Sequence, residues 1–464
     1  MQNLTFSPIP GAPLYRQLYE MLLGEIRSAA LAPGERLPSR RALAAHLGLS
    51  LNTVDAAYQM LAAEGYVQAV PKSGFFVCAQ GVQGLVPPPE KPTEAGESPL
   101  RPRWQYDFAT GSIDVSLFPV RTWARICRDV MRGGAQLLNH GDPQGDECLR
   151  RAIARYLHEY RGVRARPAQI VVGAGSETLL GMAVRLLEAG ESVAVEDPGY
   201  GKTADVLRNA GVPARPVAVG ERGMRVDLLR KSGCRAVCAT PSHQFPTGVT
   251  MPAPERAELL QWAREGECTI IEDDYDSEFR FDGRPIPALQ GLDGGDRVVY
   301  ISTFSRSLAP AIRAAYMVLP ERLLERWRTL YGGYASTVSR FEQHTLSRFM
   351  EEGHFARHIN RIRNLYRGRR DRLVQALKSE LGGCARPLCV HTGLHMPVQV
   401  ENGMDEKELA AAAAAQGVRV YALGGYCQHP PAGVPTVVLG YGGLSADEIE
   451  PACALLSRAW KREK

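Results

Sequence analysis

The chain has 464 residues, 45% of them hydrophobic and 23% charged, with a formal net charge of +5. That length exceeds one ordinary core, so two or more domains are expected, and the composition excludes disordered, fibrous and membrane-embedded classes. A mildly basic balance permits a nucleic-acid or phosphate partner without requiring one. The ten cysteines form no CxxC pair. The spacings Cys234/Cys238 and Cys384/Cys389 do not fit zinc ribbons or fingers, so reduced thiols and no metal site are expected. No apolar run is long enough for a membrane span and no basic-then-apolar leader opens the chain, which reads as cytoplasmic with no membrane partner.

From the N-terminus, Leu14, Leu18, Leu22 and Ile26 recur every four residues and place an apolar stripe on a first helix. Pro33-Gly34 breaks the chain, and Ser39 can cap a second helix that turns Leu43 and Leu47 inward. Gly48 supplies a tight turn. Ser50 caps a third helix with Val54, Tyr58 and Leu61 on its core side, and Gly65 ends it. Tyr66–Val70 and Phe75–Val77 then read as two strands around Pro71-Lys72-Ser73-Gly74.

Over residues 1–80 this order has the dimensions of a winged helix-turn-helix. Its third helix would enter a major groove with Leu51, Asn52, Asp55 and Gln59 on its outer side, and Ser50, Asn52 and Thr53 near its start are candidate DNA contacts. Lys72 and Gly74 at the wing tip would approach a phosphate or minor groove, and Arg36, Arg40 and Arg41 would lie near the DNA backbone. The rival reading is a packing module of three helices with no DNA role. Charge does not separate the two, because Glu20, Glu25, Glu35, Asp55 and Glu64 nearly cancel the arginines. The agreement of turn, caps and wing favours DNA binding.

Residues 81–105 are rich in Pro, Glu and Gly and lack apolar periodicity, as a semi-extended linker should. Residues 106–464 then read as α/β. Ile170–Val172, Val193–Val195, Ala236–Ala239, Thr269–Ile271 and Val298–Ile301 are apolar on both faces, the pattern of central strands in a covered sheet. They are followed by the loops GAGSET, EDPGY, TPSHQFPTG, EDDYDSEF and STFSRSL. Ligands of open α/β sheets bind beyond the carboxyl ends of strands, so these loops converge on one crevice. The large part spans 106–318. In 319–464 a long helical stretch to about Leu381, strands near Val390–Val400, Val418–Tyr421 and Val437–Tyr441, and an Ala-rich helix make a smaller α+β subdomain.

Over nearly its full length the chain resembles a known arrangement. The segment PLYRQLYEMLLGEIRSAALAPGERLPSRRALAAHLGLSLNTVDAAYQMLAAEGYV looks like a GntR-type winged helix. EDPGY (196–200), TPSHQFPTG (240–248), EDDYDSEF (272–279), STFSRSL (302–308) and GHFARHI (353–359) look like the MocR/GabR regulators. That family fuses the winged helix to a fold-type I aminotransferase domain, a mixed sheet covered by helices, which binds pyridoxal 5′-phosphate and usually serves as a sensor. The resemblance implies a double-stranded DNA operator, a homodimer formed through the aminotransferase-like domain, and a small-molecule effector it does not name. It also implies that Asp273 pairs with the pyridinium nitrogen, Tyr275 bonds the ring's phenolic oxygen, and Tyr200 borders the ring. Thr303, Ser305 and Arg313 would hold the phosphate, with Ser176 at a helix N-terminus beside it.

Two rival readings of these residues concern metals. Asp273, Asp274, Asp276 and Glu278 resemble a magnesium cluster, but no Gly-rich nucleotide loop accompanies them. His354 and His358 could share a helix face, yet a third ligand is missing nearby.

One departure bears on the chemistry. The family's loop reads TFSK and its lysine forms the Schiff base; here the loop is Thr303-Phe304-Ser305-Arg306. A guanidinium stays protonated above pH 12 and is neither a useful amine nucleophile nor a proton shuttle. Three further positions depart. The tyrosine expected to reach the phosphate in the partner subunit is His140, a glutamine pair at the phosphate loop is Glu177-Thr178, and VVLGYGG (437–443) offers no arginine for a substrate carboxylate. Glu177 would repel a phosphate unless paired, and Arg306 is the candidate partner. The expectation is therefore a regulator without transaminase activity, binding pyridoxal phosphate non-covalently or not at all. The alternative is an active aminotransferase with a DNA-binding arm, in which Lys202 would supply the missing amine.

Overall fold

The computed structural model describes residues 6, 11–78, 104–188, 190, 192–283, 286–294, 296–429 and 433–461. Of the expected linker, residues 81–103 lie outside this set. The chain divides into two compact units, Met1–Pro102 and Arg103–Lys464, each considered by itself.

The first unit comprises α1 (Leu14–Arg27), α2 (Arg40–Leu47), α3 (Leu51–Ala63), β1 (Val67–Val70) and β2 (Gly74–Val77). Leu18, Leu22, Ile26, Leu43, Val54, Tyr58 and Leu61 form its buried core. Leu14, expected in the same stripe, is 41% exposed at the first position of its helix. The turn between α2 and α3 is built by local chemistry. Ser39 Oγ accepts from Ala42 N at 3.2 Å, Gly48 takes the left-handed conformation at φ +66°, and Ser50 Oγ accepts from Thr53 N at 3.1 Å. β1 and β2 pair from Val67↔Val77 to Val70↔Gly74. Tyr58 packs edge-on against Phe75 at 5.1 Å, so the wing is seated on α3 by an aromatic pair.

The second unit opens with β3 (Tyr106–Asp107), α4 (Val120–Arg132) and α5 (Glu147–Arg161). β4 (Ile170–Gly173), α6 (Ser176–Arg185), β5 (Val193–Asp197), α7 (Gly201–Asn209), β6 (Ala214–Gly220), β7 (Gly223–Met224) and α8 (Val226–Lys231) follow. Then come β8 (Ala236–Ala239), α9 (Ala253–Glu265), β9 (Thr269–Asp273), α10 (Leu289–Asp293), β10 (Val298–Thr303) and β11 (Ala315–Val318). The chain ends with α11 (Glu321–Tyr331), α12 (Arg340–Glu351), α13 (His354–Leu381), β12 (Ala385–Pro387), β13 (His395–Val400), α14 (Glu406–Ala415), β14 (Val418–Arg419), β15 (Tyr421–Ala422), β16 (Thr436–Gly440) and α15 (Ala446–Trp460).

Eight strands form a mixed sheet in the order β4-β11-β10-β9-β8-β5-β6-β7. The inner run from β10 to β6 is parallel, while β11 enters antiparallel between β4 and β10. The five strands expected for this sheet, β4, β5, β8, β9 and β10, are present and almost wholly buried, whereas the wing strands β1 and β2 are largely exposed or half-buried and the run expected at Val418–Tyr421 is split into β14 and β15. β6 and β11 were not anticipated: β6 alternates burial at the sheet's edge side, and β11 merges in the sequence with the loop before it. A second sheet, β12-β13-β16-β15, is antiparallel.

The expected division at residue 318 needs correction at both ends. β3 pairs with β14, and Phe108 exchanges backbone bonds with Arg419 and Gly440, so the start of the unit belongs to the C-terminal part. α11 packs Leu323, Leu324 and Trp327 into the same core as β5 and α6. The long helical stretch is three helices, the last break falling at Gly353, φ +72°.

Ser50→Ala removes the α3 cap without touching the core. It is expected to destabilise the first unit by about 1 kcal/mol, read as faster amide hydrogen exchange along α3 in the full-length chain.

Candidate functional site

Beyond the carboxyl ends of the parallel strands lies a cavity of about 260 Å³. Ser176, Glu177, Tyr200, Asp273, Tyr275, Thr303, Ser305, Arg306 and Arg313 all line it, from four separate strand-end loops. His140, the remaining residue expected there, is exposed and is not part of the wall. Lys202, weighed above as a substitute amine, also lines it, and Thr110, Gly111, Gly175, Thr240, Phe245 and Pro310 complete the lining without having been singled out. Phe245 sat inside a loop already tied to the site, whereas Thr110 arrives from the start of the unit and no local pattern points to it.

Buried polar bonds hold these loops together. Glu196 accepts from Thr240 Oγ1 at 2.5 Å and from Gln244 Nε2 at 3.2 Å, tying the loop after β5 to the loop after β8. Gln244 also donates to the carbonyls of Pro198 and Phe245. Arg256, 1% exposed, donates to the carbonyls of Met251, Pro287 and Pro241, so one guanidinium satisfies three loop carbonyls. Burial pushes the Glu196 carboxyl up to about 7, against its hydrogen bonds to Thr240 and Gln244.

The acidic run after β9 does not converge on a point. Asp274 binds Arg161 at 2.9 Å and Tyr300 at 2.5 Å, Asp276 faces His243 Nδ1 at 2.9 Å, and Glu278 accepts from Tyr156 at 3.1 Å. Asp273 alone turns to the cavity, and its Oδ1 is buried without a partner among the described residues. Burial, reinforced by Asp274, Glu196, Asp276 and Glu177, pushes this carboxyl up to about 7. Tyr275 Oη donates to the His243 carbonyl at 3.0 Å and lies 3.1 Å from His243 Nδ1. His243, Asp276 and His395 offer atoms within 4.8 Å of one another, the one cluster of metal-ligand type among the described residues. His243 Nδ1 is already engaged with Asp276 and Tyr275 there. His354 and His358 part company: His354 meets Glu352 and Arg125 at the surface, while His358 Nε2 is buried 3.0 Å from the Ser307 carbonyl.

Arg306 lines the cavity with Nη1 buried and unpartnered among the described residues. The expected pairing of Arg306 with Glu177 is not formed. Glu177 instead meets Lys202 Nζ at 3.1 Å and Arg313 Nη2 at 3.6 Å. The reason is position: Lys202 follows Tyr200 on α7, and Arg313, held left-handed at φ +50°, reaches across to the Ala174 carbonyl at 3.0 Å. Lys202 is thereby a cation in a salt bridge rather than a free amine, and Glu177 and Tyr200 raise its pKa further.

On the first unit, α3 turns Leu51 (45% exposed), Asn52 and Gln59 outward. Asp55 is ion-paired with Arg40, so this carboxylate is neutralised from within and Arg40 is less free than expected. Arg41, Ser50 and Lys72 are exposed, and Thr53 is half-buried with its hydroxyl 2.8 Å from Ser50 Oγ. Gly74, at φ +118°, lies against Arg36, whose Nε a Cβ there would meet at 3.3 Å.

A winged helix-turn-helix followed by an aminotransferase fold with a lined strand-end cavity defines a fusion class rather than a free-standing enzyme. Residues 14–77 match the family model for bacterial regulatory proteins of the gntR family, and residues 106–432 match that for aminotransferase class I and II. The chain is 38% identical over 452 residues to the HTH-type transcriptional regulator YhdI of Bacillus subtilis, covering 97% of this chain and 96% of that one. It is 32% identical over 447 residues to the probable rhizopine catabolism regulatory protein MocR of Rhizobium meliloti, covering 93% and 90%. Among solved structures, the multiple substrate aminotransferase of Thermococcus profundus superposes with a TM-score of 0.70 at 26% identity, over 78% of this chain and 92% of that one. The chain belongs to the MocR-type family of HTH regulators, in which a gntR-type module precedes an aminotransferase class I and II domain.

A carboxyl with a raised folded pKa keeps its proton while the unfolded chain loses its own, so it lowers stability progressively as pH rises from the ordinary Asp range to about 7. Between pH 5 and pH 8 the wild type is expected to lose about 2 kcal/mol relative to Asp273→Asn, measured by urea unfolding of both at each pH.

Proposed function

We propose that this regulator binds a double-stranded operator through paired winged helices, brought together by dimerisation of its aminotransferase-like domains, and that this domain is a ligand receptor without transaminase activity. The observation that carries the reading is an intact winged helix-turn-helix joined to a strand-end cavity whose amine position holds Arg306. The start of α3, with Ser50, Asn52 and Thr53, would face the major groove. Arg41, Lys72 and the Gly74 turn would track phosphates, with Arg40 contributing from its pair with Asp55.

Pyridoxal phosphate fits the cavity at one end only. The orphaned Asp273 Oδ1 suits a protonated ring nitrogen, and Tyr275, Thr303 and Ser305 line the same space. The amine is absent at Arg306, and Arg313 already faces the carboxylate of Glu177. The residues therefore do not fit the covalently held cofactor, and any binding is non-covalent. An active aminotransferase would depend on Lys202, whose charge is held by Glu177 and whose side chain is 60% exposed. That favours the receptor reading.

In gel shifts on the promoter region of its own gene, Lys72→Ala and Arg41→Ala are expected to weaken binding across sequences and to lower the salt slope by about one each. No wild-type binding at low salt would sink the regulator reading. With pyridoxal phosphate, borohydride treatment and peptide mass mapping are expected to find no adduct at position 202. An adduct there would revive the enzyme.

A further inference from the structure

Glu177 is the second residue of α6, and its carboxylate accepts from its own backbone N–H at the helix start. Its ion-pair partners are Lys202 at 3.1 Å and Arg313 at 3.6 Å, and the carboxyl of Asp273 and Tyr200 lie near enough to feel its charge. Gly175 makes this approach possible, since a Cβ there would stand 2.3 Å from Arg313 Nη2 and 3.2 Å from Glu177 Oε2. Two of the three cations in the cavity wall are thus engaged by an anion belonging to the chain itself. The third, Arg306, keeps a buried Nη1 with no partner among the described residues, and Asp273 keeps a buried Oδ1 in the same state. A buried donor and a buried acceptor left open in one cavity each lose their hydration for nothing in return. A ligand that supplied an acceptor to the first and a donor to the second would recover both losses.

We propose that Glu177 acts as a built-in anion in place of a ligand phosphate, and that the cavity takes a small phosphate-free carboxylic acid carrying a hydrogen-bond donor, its carboxylate on Arg306 and its hydroxyl or amino group on Asp273. The inference rests on the reading of this domain as a ligand receptor. A guanidinium suits a carboxylate because its planar fork can donate two parallel bonds. Tyr200 and Phe245, ring centroids 5.5 Å apart, give the ligand's carbon skeleton an apolar wall. The Glu177 pairs are half exposed, and by themselves such pairs are weak. Exclusion comes instead from placing a phosphate dianion beside a fixed carboxylate, a repulsion that lowers affinity by about tenfold or more even under surface-like screening.

The test is isothermal titration and thermal denaturation of the full-length wild type, Glu177→Gln and Arg306→Gln. The probes are pyridoxal phosphate, inorganic phosphate and a panel of L-lactate, L-malate and the standard L-amino acids. Pyridoxal phosphate is expected to bind Glu177→Gln at least about tenfold more tightly than wild type. At least one panel acid should raise the wild-type melting temperature, with the shift lost in Arg306→Gln. Equal affinity of wild type and Glu177→Gln for pyridoxal phosphate overturns the proposal, as does a panel in which no acid moves the wild-type melt. Cooperative melting of the variants reports that they fold, and gel shifts on the same samples report DNA binding. They also separate the two readings, because loss of wild-type DNA binding with retained acid binding counts against the regulator and not against the cavity assignment.

Discussion

The parallel run from β10 to β6 is the constraint on which the rest of this molecule depends. Parallel strands end on the same edge, so the loops that leave them must crowd together there, and their backbone groups need partners away from water. The chain meets that need with Glu196, Gln244 and Arg256, whose bonds run from loop to loop rather than within one loop. A buried carboxylate and guanidinium used this way contribute less as charges than as multiple acceptors and donors in fixed positions. The cavity is what remains between loops fastened in this manner.

Its electrostatics follow from which charges are answered. Asp274, Asp276 and Glu278 each have an internal partner, and the sheet sends them to different places. Asp273 and Arg306 are left open toward the same space, while Glu177 is answered twice. A guanidinium that stays protonated lines this cavity, and under the proposed function it would hold a ligand without serving as a base.

The winged helix shows the same economy on a smaller scale. Its outer helix face carries an acidic residue, yet Asp55 pairs with Arg40 within the module, and Leu51, Asn52 and Gln59 are left exposed on that face. Positive charge is displaced toward Arg41 and the wing at Lys72. Under the proposed function, phosphate contacts and base-edge contacts would fall to different elements.

Much of this was legible in the residues alone. The caps Ser39 and Ser50, the turn at Gly48 and the apolar runs of β4, β5, β8, β9 and β10 are local signals, decided within a few residues by side-chain hydrogen bonding, backbone freedom and burial on both faces. The gathering of nine expected residues around one cavity was also foreseeable, because strand order and the carboxyl-end rule do not depend on detail. Partnership was not. Whether Glu177 meets Arg306 or Lys202 and Arg313, whether β3 belongs to the large part or pairs with β14, and where β11 enters the sheet are relations between segments far apart in the chain. By itself the sequence determined that position 306 is an arginine and hence carries a permanent charge. Only the tertiary structure decided that this charge is left open to the cavity, because a buried group's partners are set by the packing of distant elements and not by its neighbours along the chain.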